Sequence, residues 1–205
     1  DINKIAFTGS TQVGKLIQKS LAGRDVGLTL ELGGKAANIV YEDAAIDQAV
    51  EGVVNGIFFN QGHVCCAGSR LLLQESIHDE FVKKLEKRMQ SLRVGNPLDK
   101  NTDIGAINSK EQLDKITGLV NEGVEDGGEL FQTECELPGN GFWFRPTLFT
   151  NVQPSYSIAR EEIFGPVLTT LTFRTPEEAV EIANNTEYGL SAGVWTEKGS
   201  KILWT

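Results

Sequence analysis

Apolar positions along this chain switch repeatedly between a strand-like and a helix-like period. Lys4-Ile5-Ala6-Phe7-Thr8 is short and apolar, Gly9-Ser10-Thr11 interrupts it, and Val13, Leu16, Ile17 and Leu21 then recur at helical spacing. The pattern predicts a strand, a tight turn and a helix. Val26 to Leu32 alternates with Leu28, Leu30 and Leu32 on one side, breaks at Gly33-Gly34, and resumes as extended chain over Ala37-Asn38-Ile39-Val40-Tyr41. Asp43 stands where an N-cap belongs, and Ile46, Val50, Val53, Val54, Ile57 and Phe58 form one apolar stripe on a helix expected to end near Gly62.

A loop from His63 to Arg70 leads into a strand at Leu71-Leu72-Leu73. Ile77, Phe81, Val82, Leu85, Met89 and Leu92 mark the next helix, and Ser109 caps another predicted to reach about Val120. Beyond Gly127-Gly128, strand-like pieces run over Glu129 to Thr133, Phe142 to Phe149 and Val167 to Phe173. Thr175-Pro176-Glu177-Glu178 combines a cap, a proline at the first helical position and a glutamate placed to close a capping box, opening a helix to about Asn184. Lys198 to Thr205 begins a further helix. Strands alternating with helices of this length predict an α/β fold with a largely parallel sheet.

Composition adds exclusions. The 205 residues allow one domain or one plus part of another. With 40% hydrophobic and 23% charged residues the chain is an ordinary globular one. A net charge of −9 argues against nucleic acid or an anionic membrane as principal partner. The densest basic run, Lys83-Lys84-Leu85-Glu86-Lys87-Arg88, is interleaved with acid and apolar residues, as on a solvated helix face. Three cysteines, two of them vicinal, make a poor disulfide framework and fit a reducing compartment, the cytoplasm first. No stretch approaches the ~20 apolar residues of a membrane span. The first residue is Asp rather than Met, which suggests a piece of a longer polypeptide.

Three segments carry candidate chemistry. Gly9-Ser10-Thr11-Gln12-Val13-Gly14-Lys15 nearly spells a P-loop, but Leu16 stands where a magnesium-binding hydroxyl is needed. What is left is either a phosphate-binding turn at a helix N-terminus or a plain strand-to-helix turn. In Leu30-Glu31-Leu32-Gly33-Gly34-Lys35, Glu31 is either a general base, its pKa raised by partial burial, or an exposed residue at a strand end. In Asn60-Gln61-Gly62-His63-Val64-Cys65-Cys66-Ala67-Gly68-Ser69-Arg70, small residues around a thiol leave room for a substrate, although a lone cysteine is more often a buried filler. A zinc site from His63, Cys65, Cys66 and Cys135 matches no ligand spacing, and no metal is expected.

Phe7-Thr8-Gly9-Ser10-Thr11, Leu30-Glu31-Leu32-Gly33-Gly34-Lys35, Gly62-His63-Val64-Cys65-Cys66-Ala67-Gly68-Ser69-Arg70 and Glu161-Glu162-Ile163-Phe164-Gly165-Pro166-Val167 closely resemble, in the same order, the motifs of the aldehyde dehydrogenase superfamily. The resemblance extends to Asn184-Asn185 and Tyr188-Gly189-Leu190. Asn55-Gly56-Ile57-Phe58-Phe59 running into Val64-Cys65-Cys66 is similar to the family's sixteenth, long-chain branch.

The resemblance implies the end of a Rossmann-like dinucleotide-binding domain over residues 1–33, followed by an α/β catalytic domain over 34–205. It implies oxidation of an aldehyde with NAD, or alternatively NADP, as hydride acceptor. Cys65 matches the nucleophile and Glu31 the general base. Gly9, Ser10 and Gly14 match the dinucleotide-phosphate turn, Glu162 and Phe164 the residues that hold the nicotinamide ribose, and Leu32, Lys115 and Leu190 weaker cofactor contacts. His63 departs from the family pattern, which has Gln or Glu after the glycine. The family module is more than twice this length, so a complete protein is expected to add adenosine-binding strands, an oxyanion-binding Asn and segments for homo-oligomer formation. The alternative from another class is a non-catalytic scaffold or inactive fragment of this fold.

Overall fold

The computed structural model describes residues 2–205. Strands β1 (Lys4–Thr8) and β2 (Gly27–Glu31) pair in parallel as a two-stranded sheet, Lys4 opposite Gly27 and Thr8 opposite Glu31. Helix α1 (Thr11–Ser20) crosses between them. In both strands alternate residues are half-buried and the rest exposed, and residues 2–35 contribute no buried apolar side chain to the core.

The second sheet has six strands. Its members are β3 (Ala37–Val40), β4 (Arg70–Gln74), β5 (Glu129–Gln132), β6 (Thr147–Thr150), β7 (Val167–Phe173) and β8 (Ala192–Trp195), in the order β5-β6-β7-β4-β3-β8. All neighbours are parallel except β5 and β6. The run Leu71-Leu72-Leu73 reads as continuous apolar sequence because β4 lies mid-sheet with both faces covered. Leu71 and Leu73 pack on the face covered by α2 (Ile46–Phe58) and α3 (His78–Met89), among Val53, Ile57, Phe81 and Leu85. Leu72 points the other way, towards Ile39, Phe173 and Ala179 of α6 (Pro176–Asn184). A third cluster, around Ile116, Val120, Phe149 and Ile158, joins α4 (Lys110–Glu125) to the short α5 (Ser157–Arg160). Helix α7 (Gly199–Trp204) ends the chain. No helix among the described residues is long and apolar enough to cross a membrane.

Several expectations shift. Asp43 does not cap α2, whose N-cap is Ala45 with no side-chain bond. Its carboxylate instead accepts from Thr196 Oγ1 at 2.9 Å and Lys201 Nζ at 2.8 Å, tying the β8–α7 connection back to β3. Helix α2 stops at Phe58, before a 3-10 turn over Phe59–Gly62, and α4 runs on to Glu125. Of the strand expected over Phe142 to Phe149, only the end from Thr147 pairs.

Candidate active site

Strand β1 turns into α1 at Gly9, whose N–H donates to the Glu31 carbonyl at 3.0 Å. The Ser10 hydroxyl caps the helix by accepting from Val13 N–H at 3.3 Å. The first-turn N–H groups of Thr11 and Gln12 have no intrahelical acceptor, the arrangement in which helix ends receive anions. Gly14 lies one turn further in. A methyl there would stand 2.5 Å from the Leu32 side chain, so its want of a side chain brings α1 down onto the segment leaving β2.

That segment, Leu32-Gly33-Gly34-Lys35, passes between two others. A methyl on Gly34 would overlap the Cys65 carbonyl oxygen, and one on Gly33 would stand 2.5 Å from Glu162 Oε2. Glu162 Oε1 accepts from the Gly34 N–H at 3.0 Å. The two-stranded unit, the cysteine loop and the Glu162 loop therefore meet at the paired glycines.

The cysteine loop is held by backbone conformation. Asn60 and Gln61 both have positive φ, at 50° and 48°, and Gly62 follows at 75°, where a methyl would overlap the Gly165 carbonyl. Asn60 Nδ2 donates to the His63 carbonyl at 3.1 Å, and Gln61 Oε1 accepts from Gly105 N–H at 3.2 Å. Phe164 also has positive φ, at 54°, and its ring lies nearly parallel to that of His63 with centroids 5.1 Å apart. Burial lowers the pKa of His63, and its Nε2 is buried with no hydrogen-bond partner. Cys65 is half-buried with a free thiol, and Cys66 is exposed.

These pieces line one cavity of about 610 Å³, within the ~300–1,000 Å³ usual for small-molecule sites. Of the residues singled out from sequence, Cys65, Gly9, Ser10, Leu32, Lys115, Glu162 and Phe164 all face it. Gly14 and Leu190 do not; Gly14 packs on Leu32, and Leu190 packs behind Gly34 and lines a neighbouring cavity. Glu31 is exposed rather than partly buried, and its side chain is not among the lining groups. Among the described residues strand β2 pairs with β1 alone, and Leu28 and Leu30 take its more covered face, which leaves Glu31 on the open one.

Gln112 lines the cavity too, and sequence reasoning passed over it. Its Nε2 donates to the carbonyls of Ile163 at 2.8 Å and Phe164 at 3.0 Å, which pins the Phe164 backbone. A glutamine three residues after the Ser109 cap looks like a capping-box member, and nothing in that signal indicates a reach to residue 164.

The cavity suits a dinucleotide's reactive end, with an anion-receiving turn on one wall and a carboxylate and an aromatic ring on another. Comparison with known proteins identifies the family. The pattern described as the aldehyde dehydrogenase family matches residues 1–205. Retinal dehydrogenase 2 of Rattus norvegicus is 49% identical over 207 residues, covering 98% of this chain and 39% of that protein. The crystal structure of an NAD-dependent aldehyde dehydrogenase from Sinorhizobium meliloti superposes with a TM-score of 0.95 at 43% identity, over 98% of this chain and 40% of that one. Betaine aldehyde dehydrogenase from Staphylococcus aureus, solved in complex with NAD+, superposes with a TM-score of 0.94 at 36% identity, over 98% of this chain and 41% of that one. The chain thus spans well under half the length of these relatives.

Proposed function

Since the chain belongs to the aldehyde dehydrogenase family, we propose that the protein oxidises an aldehyde to a carboxylic acid with NAD as hydride acceptor, Cys65 as nucleophile and Glu31 as general base. The observation that carries the reading is the single cavity in which the Cys65 loop faces Gly9, Ser10, Lys115, Glu162 and Phe164. Residues 1–33 belong to the dinucleotide-binding part and residues 34–205 to the catalytic part.

Gly9 and Ser10, at the α1 N-terminus, hold the pyrophosphate; Glu162 and Phe164 hold the ribose and nicotinamide side, with Lys115 and Leu32 beside them. Glu162 is partly committed to Gly34 N–H and keeps its second carboxylate oxygen for a hydroxyl. When bound, the dinucleotide supplies the hydride acceptor. Cys65 Sγ, as thiolate, forms a bond to the aldehyde carbon while the Cys65 backbone N–H donates to the oxyanion. After oxidation that carbon is a thioester on Cys65. Glu31 takes a proton from water, the hydroxide adds to the thioester, and the acid leaves as the thiolate returns.

The test is aldehyde-dependent NADH formation by the intact protein and by its Cys65→Ala variant. Turnover should vanish in the variant, together with any cofactor-independent ester hydrolysis. Turnover above background in Cys65→Ala would remove Cys65 from the nucleophile's role.

A further inference from the structure

The run Leu32-Gly33-Gly34 leads into Lys35, which the proposed reaction does not use. Lys35 is only 2% exposed, and its Nζ is buried with no hydrogen-bond partner among the described residues. Beside it lies Arg70, 3% exposed, which donates from Nε to the Lys35 carbonyl at 2.9 Å, from Nη1 to the Ile182 carbonyl at 3.0 Å and from Nη2 to the Ala183 carbonyl at 2.8 Å. These bonds orient the guanidinium without neutralising it, and they leave N–H donors over.

Both cations line a cavity of about 260 Å³, together with Asn184, Thr186, Tyr188 and Ser191, and among the described residues no Asp or Glu lines it. Two cationic groups withdrawn from water around a space with no carboxylate form an unbalanced arrangement, since each buried ion costs several kcal/mol unless paired. Burial, then the Arg70 charge, hold the Lys35 amine near 7 instead of 10.5; Glu162 and Glu161 oppose this and Lys115 adds to it. Of those carboxylates, Glu162 is already bonded to the Gly34 N–H. An amine in that state takes up a proton when an anion arrives, and the pair is then neutral.

We propose that this cavity is a binding site for a small carboxylate, held between Lys35 and Arg70. Its volume is below the ~300–1,000 Å³ of sites for drug-sized ligands, which excludes a nucleotide. One carboxylate oxygen accepts from an N–H that the Arg70 guanidinium has left over, and the other meets the Lys35 ammonium. The site lies behind the Cys65 loop: Ser191 Oγ donates to the Cys66 carbonyl at 3.3 Å, and Leu190 packs on the same side of Gly34 as the Cys65 carbonyl. An acid bound there bears on the segment that carries the nucleophile. That the product of the reaction is itself a carboxylate is the only part of the inference that rests on the proposed function.

The experiment is thermal denaturation of the intact protein at pH 7 and constant ionic strength, titrated with acetate or propionate, with chloride and phosphate as comparison arms. Acetate should raise Tm saturably, with half-saturation roughly tenfold tighter than for chloride, which cannot bridge the two cations bidentately. Lys35→Met should abolish the acetate response. Because that variant changes a buried residue, the Lys35 ammonium is also followed by NMR with labelled lysine in the wild-type protein, where acetate should shift its titration upward. No saturable response, an equal response in Lys35→Met, an equal response to phosphate, or an unmoved Lys35 titration would each overturn the assignment. None of these readouts involves turnover, so failure here is distinguishable from failure of the aldehyde reaction.

Discussion

Gly34→Ala isolates the contact on which the active-site geometry depends. The added methyl would overlap the Cys65 carbonyl oxygen, and an ordinary C···O approach of ~3.3–3.6 Å is restored only if the two backbone segments separate by roughly 1 Å. Neither side can yield by rotating a side chain, so the cost is that of overpacking, about 1–3 kcal/mol. A displacement of that size at a nucleophile is enough to reduce turnover about 10²-fold. Gly33→Ala is the control. Its methyl meets Glu162 Oε2, the end of a flexible side chain, at 2.5 Å. That carboxylate can swing aside, at a cost of about 1 kcal/mol for its bond to Gly34 N–H. Urea unfolding of the intact protein gives the stabilities, and steady-state NADH formation gives kcat and KM. Gly34→Ala should lose chiefly kcat. Gly33→Ala should keep most of its stability and weaken cofactor binding through Glu162. If Gly34→Ala unfolds within ~0.5 kcal/mol of wild type with unchanged kcat, the close approach does not position Cys65.

Glu31→Gln should leave the first turnover's burst of NADH largely intact and slow the steady state by about 10²–10⁴-fold, because only thioester hydrolysis needs the base; stopped-flow measurement showing equal loss of both phases would exclude Glu31 from that step. Burial lowers the pKa of His63 from 6.5, so the unfolded chain binds the proton more readily. Its contribution to stability is therefore complete above about pH 6.5 and is lost as pH falls towards the lowered folded value; His63→Gln should flatten the urea midpoint between pH 7.5 and 5.5, and an unchanged slope would show that another group titrates there.

What was legible in the sequence follows from how local its cause is. Ser109 and Thr175 cap α4 and α6 as read, accepting from Gln112 N–H at 3.1 Å and Glu178 N–H at 3.3 Å, because a cap is decided within four residues. The apolar run of β4, Leu71-Leu72-Leu73, was readable because a strand covered on both faces carries no polar alternation. Strand β8 escaped notice: Ala192-Gly193-Val194-Trp195 is short and contains a glycine, and its partner among the described residues, β3, lies more than 150 positions upstream. Asp43 has the right chemistry for a cap but finds Thr196 and Lys201 instead, partners no local window contains. The same limit applies to Glu31, whose exposure depends on how many strands flank β2 and not on the apolar neighbours that suggested burial. Within the cavity, Cys65, Glu162 and Phe164 were picked out by their motifs, whereas the stack of His63 on Phe164 and the hold of Gln112 on the Phe164 loop are long-range facts.

The strained residues give these facts a common sense. Positive φ at a residue other than glycine costs on the order of 1–3 kcal/mol, and Asn60, Gln61 and Phe164 all accept it within the two loops that face Cys65. Each is held by a specific partner: Asn60 bonds to the His63 carbonyl, Gln61 to Gly105 N–H, and the Phe164 carbonyl to Gln112. Gly62 meanwhile presses against Gly165 where no side chain would fit, locking one loop to the other. A loop selected only to connect α2 to β4 would relax out of such conformations, because nothing in the packing of α2 or β4 requires them. What they achieve is to set the His63 ring against Phe164 on one side of the cavity and the Cys65 backbone against Gly34 on the other. Asn151, the fourth non-glycine residue with positive φ, lies outside these loops; under the proposed function the other three set the relative position of Cys65 and the cofactor wall, as a reaction that depends on sub-ångström placement would need.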